Sequence, residues 1–65
     1  NQLNIILSEN TEKGSVEVLD MTGRVVFVSS LNTNRNTLDL NVNTGVYLIR
    51  VDTEKGTDTH RVLFN

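Results

Sequence analysis

The chain has 65 residues, a formal net charge of −2, no cysteine and a single histidine, His60. Those figures fit one small domain of marginal stability and exclude disulfide stapling, a thiolate zinc site and a His-rich metal cluster. The mild acidity is no electrostatic footprint for nucleic acid, and no apolar run nears the roughly 20 residues that span a bilayer.

The first element is "LNIILS", where Leu3, Ile5 and Leu7 alternate and Ile6 is an extra apolar residue. "TEKG" follows at residues 11–14 and recurs at 53–56. Both copies read as hairpin turns of three to five residues, each ending in a glycine free to take positive φ. In "SVEVLD", Val16 and Val18 face one way and Glu17 the other. "DMTGR" (20–24) is a further Gly-containing turn. "RVVFVSS" carries Val25, Val26, Phe27 and Val28 in succession, the pattern of a strand buried on both faces. "NTNRN" (32–36) is a polar loop, and in "TLDLNV" Leu38, Leu40 and Val42 alternate with Asp39 and Asn41. Asn43 and Gly45 turn the chain into "VYLIRVD", with Tyr47, Ile49 and Val51 on one face and Val46, Leu48 and Arg50 on the other. "THRVLFN" closes the chain with Val62 and Phe64 opposite Arg61 and Leu63.

The apolar period is two throughout, and β-branched and aromatic residues dominate the runs. About six short strands joined by tight turns imply an antiparallel all-β sandwich or barrel. Residues 24–30 and 45–51, apolar on both faces, are expected at the centre, with the more polar 36–41 and 59–65 at edges.

No catalytic constellation emerges. Ser8, Ser15, Ser29 and Ser30 lie outside any G-x-S-x-G elbow, and His60 reads as a partly exposed strand residue without a partner. Asp20, Asp39, Asp52 and Asp58 are scattered over turns and strands. Neither phosphate-binding glycine motif is present. Phe27, Tyr47 and Phe64 read as core rather than as a stacking platform. The expectation is a non-enzyme without cofactor or metal.

Three segments in order resemble a known family. They are "VEVLDMTGRVV", "LDLNVNTGVYLIRVDT" and "GTDTHRVLFN". The Asp-x-x-Gly-Arg-Val-Val turn at Asp20, Gly23 and Arg24 and the Gly-Val-Tyr-Leu-Ile-Arg-Val run at Gly45 and Tyr47 are similar to those of the type IX secretion system C-terminal sorting domain of Bacteroidetes. The similarity runs from about Leu3 to the chain end. It departs in two places. The family's opening Pro-Asn-Pro element is missing, so the chain is expected to be a piece that lacks its first N-terminal element. His60 and Arg61 stand where the family often has Lys.

The resemblance implies an immunoglobulin-like sandwich of six to seven strands at the end of a secreted cargo. It implies an address read by the type IX machinery, export across the outer membrane, and cleavage by a sortase-like protease. The cargo is then attached to the cell surface or released. Lys55, Gly56, His60, Arg61, Val62 and Phe64 are the expected recognition strand and its turn. Gly45 is expected at a positive-φ strand entry, and Tyr47 is expected to pack its ring in the core with its hydroxyl near the surface. An incomplete sandwich is also expected to be able to form a strand-exchanged homodimer. The competing readings are a generic immunoglobulin-like or fibronectin-like accessory module of a secreted protein and a small intracellular adaptor.

Overall fold

The computed structural model describes residues 2–7, 11 and 13–65. Six strands form two antiparallel sheets: β1 (Gln2–Ile6), β2 (Gly14–Leu19), β3 (Val25–Leu31), β4 (Arg35–Asp39), β5 (Gly45–Thr53) and β6 (Gly56–Phe64). One sheet pairs β1 with β4, and the other has the order β3-β2-β5-β6. The chain crosses between sheets after β1, β3 and β4 and folds back as hairpins at β2–β3 and β5–β6. The expected all-β antiparallel sandwich is the architecture observed.

Alternation decides which face goes inside. Val16 and Val18 have no exposure, and Leu31, Tyr47, Ile49 and Phe64 join them on the inner face of the larger sheet. Ile5, Leu7 and Leu40 meet them from the smaller one. Each buried aliphatic side chain contributes about 1.5–3 kcal/mol relative to an exposed one, which makes this cluster the main source of stability. Glu17, between the two buried valines, turns outward and pairs with Arg50 of β5, its partner in register.

Two expectations about strand position are corrected. β3 is an edge strand, paired only with β2, and Val25 and Val28 are 43% and 61% exposed. The second central strand is β2, flanked by β3 and β5. β5 is central as expected, and β4 and β6 are edges. β4 also starts earlier than the pattern suggested, at Arg35, because its pairing with β1 runs back to Ile6↔Arg35 and is extended by the Leu7 amide donating to the Asn34 carbonyl at 2.8 Å. Leu40 lies past its end and is nevertheless buried.

The two "TEKG" segments are not alike. Residues 53–56 form a hairpin whose loop is only Glu54 and Lys55, with Gly56 at φ 130°. Residues 11–14 lead from β1 in one sheet to β2 in the other, so they are no hairpin; Glu12 lies outside the described residues. Gly14 is already in β2, and close approach rather than positive φ explains it. A Cβ there would stand 2.5 Å from the Asp52 carbonyl oxygen of the paired strand.

Candidate recognition surface

The site residues named from sequence fall in three places. Asp20, Gly23 and Arg24 form the β2–β3 turn. There the Asp20 carboxylate accepts hydrogen bonds from the Thr22 hydroxyl at 2.6 Å, the Thr22 amide at 3.0 Å and the Arg24 amide at 3.0 Å. The Arg24 Nε stands 3.2 Å from the other carboxylate oxygen. Gly23, at φ 90°, gives the turn a left-handed residue that side chains disfavour. The Thr22 hydroxyl bond, then the Arg24 amide, the Thr22 amide and the Arg24 charge together hold the Asp20 carboxyl below its ordinary range.

Gly45 and Tyr47 open β5 and pair in register with Phe64 and Val62 of β6. The Tyr47 ring packs against Phe64, with centroids 5.6 Å apart and planes tilted by 47°. Its hydroxyl donates to the Asn43 carbonyl at 2.7 Å. A buried phenol so satisfied pins the turn before β5 to the strand it starts, as a tyrosine corner does in other sandwiches. Gly45 has φ 159°, close to extended, and a Cβ there would meet the Tyr47 ring at an ordinary 3.7 Å. Asp20, Arg24, Asn43 and Tyr47 line one shallow cleft of about 200 Å³, so the two sequence motifs meet at one end of the sandwich.

Lys55 and Gly56 lie at the other end of β6, in the β5–β6 hairpin, and are not brought to that cleft. His60 and Arg61 lie between, both exposed. Asp58, His60 and Val62 line a wider groove of about 460 Å³, together with Ile49 and Val51 of β5 and Leu3 to Leu7 of the smaller sheet. The groove runs between β1 and β6, each of which has one neighbour and one open edge. The two-residue hairpin makes Thr53 and Gly56 a hydrogen-bonded pair, so the backbone groups of Thr57, Thr59, Arg61 and Leu63 point away from β5.

Sequence reasoning missed Asn43 as the acceptor for Tyr47 and the Glu17–Arg50 ion pair across β2 and β5. The acceptor in the first is a main-chain carbonyl, which any residue at position 43 would offer, so no side chain signalled it. The second needed the β2–β5 register, which no local pattern carries. Among the described residues no group of three or more His, Asp or Glu could hold a metal. Among the described residues no helix is long and apolar enough to cross a membrane.

Fold and site together define a small all-β module whose distinctive residues stabilise turns and flank an edge strand. The family model of the secretion system C-terminal sorting domain matches residues 1–65, and the chain belongs to that family. It is a type IX secretion C-terminal sorting domain, a signal that takes the protein bearing it across the outer membrane to the surface or the extracellular space through the secretion machinery. The comparisons with curated proteins and with solved structures match nothing.

Proposed function

We propose that β6 and its hairpin turn are the part of this address that the type IX machinery reads, and that a sortase-like protease then removes the domain. The cargo is thereby attached to the cell surface or released. One observation carries the reading of β6. It is a nine-residue edge strand, exposed from Gly56 to Arg61, with alternate backbone groups open to a further strand. Strand addition to such an edge supplies affinity through main-chain hydrogen bonds and leaves specificity to alternate side chains, here Thr57, Thr59, Arg61 and Leu63. Within the same proposal, the turn residues Asp20, Gly23 and Arg24 and the Gly45–Tyr47 corner support the strand from the other end.

Deleting residues 57–65 from a reporter fused to this chain stops export in a host with the type IX machinery. Export at the full level after that deletion would sink the proposal. The groove between β1 and β6 also offers a second copy a place to exchange a strand. A single monomeric species in light scattering at every concentration would exclude that dimer.

A further inference from the structure

The outer face of the four-stranded sheet carries more apolar surface than a solvated face needs. Odd residues of β2 and even residues of β5 point away from the core. The register therefore sets Val25, Leu19 and Leu48 in one row across three strands. Val46 and Leu63 form the next row. Val25, Val46 and Leu63 are 43%, 38% and 61% exposed, and Leu19 and Leu48 are half-buried. A contiguous exposed apolar patch of this kind marks an interaction site more often than scattered single residues do.

The charges around it have one free sign. Glu17 and Asp52 are engaged with Arg50, and Asp20 is held within its own turn. Arg61 pairs in register with Leu48 and has no ion-pair partner among the described residues. Arg24, next to Val25 in the chain, is ion-paired with Asp20 and lines the end cleft with Tyr47. Among the described residues the patch is thus bordered by one unpaired guanidinium group, that of Arg61, and by no unpaired carboxylate.

We propose that this outer face is a docking surface for a protein partner that presents apolar side chains beside at least one carboxylate. The partner belongs to the export machinery, so the proposal rests on the sorting reading. It differs from strand addition because Val25 lies on β3, the edge farthest from β6. Two copies of this chain apposed through the face would bring the Arg61 side chains together with no unpaired carboxylate among the described residues to meet them, which disfavours self-association. An anionic lipid surface is disfavoured because one unpaired arginine on a chain of net charge −2 gives little polybasic attraction.

The test uses the 65-residue chain fused to a reporter in a type IX host. Val25→Thr, Val46→Thr and Arg61→Glu each lower surface and extracellular reporter roughly tenfold, the change that about 1.4 kcal/mol of binding represents. Ile6→Thr, on the outer face of the smaller sheet, leaves it at the parent level. All four variants keep the parent's melting temperature within a few degrees. Loss with Arg61→Glu alone would leave only edge recognition and overturn the docking face. A parent chain that is not exported would overturn the sorting reading and this proposal with it. If the parent binds phosphatidylglycerol vesicles and the Val46→Thr variant does not, the face belongs to lipid and the protein partner is overturned.

Discussion

The two halves of β6 sit on the same strand and do different things. From Val62 to Phe64 its inner face is packed against Tyr47, whose hydroxyl is tied to Asn43. From Asp58 to His60 the same face is exposed and polar, and it borders the open groove. The cause is the unequal size of the sheets, since two strands cannot cover the inner face of four along its whole edge. One half of the strand holds the fold together, and the other half is left available. A recognition strand can therefore be altered at its first half without unfolding the domain, whereas its second half cannot.

The strongest way to break this contrast is at the packed half. Tyr47→Ala removes a ring from a buried aromatic pair and destabilises the domain by about 3–5 kcal/mol, read from the urea midpoint. That is a large fraction of the stability of so small a domain. A midpoint shift of under 1 kcal/mol would show that the corner does not anchor β5 and β6.

Gly14→Ala tests the central pairing on which both halves depend. With a Cβ 2.5 Å from a backbone oxygen, β2 and β5 must part locally, and the expected loss is about 1–3 kcal/mol by the same measurement. Tyr47→Phe isolates the hydroxyl and costs about 1 kcal/mol.

A pH titration separates the motif turn from the rest. The Asp20 carboxyl is lowered in the folded chain, so the stabilisation it gives is fully present above the ordinary aspartate range. It is lost as pH falls through the folded value. Asp20→Asn should flatten the dependence of the denaturation midpoint in that acid window and leave it unchanged near neutrality in slope. An unaltered acid slope would show that the turn carries no linked proton. The smallest effect is expected at the open half of β6: Asp58→Thr and His60→Thr shift the midpoint by less than about 0.5 kcal/mol.

Much of the strand layout was legible because period two and glycine-rich turns are local signals. Val16, Val18, Ile5, Leu7, Tyr47 and Ile49 are buried as their alternation predicts. The error on β3 is instructive. Val25, Val26, Phe27 and Val28 read as a strand covered on both sides, yet the outer side is bare. An apolar residue on a strand reports a preference for leaving water, and the pattern cannot say whether the chain itself or another molecule provides the cover. The first "TEKG" failed for a related reason. Gly14 is needed for a neighbouring strand that lies 38 positions away in sequence at Asp52, a contact that no turn signal encodes.

The sequence by itself determined the all-β class, the inward faces, the turn at Asp20 to Arg24 and the resemblance that the family match established, because each rests on residues close together in the chain. Only the tertiary structure decided which strands lie at the edges, that the two motifs share one cleft, and that Val25, Leu48, Val46 and Leu63 align on a common outer face. Those facts depend on strand order and register, which arise when distant segments compete to bury the same limited core.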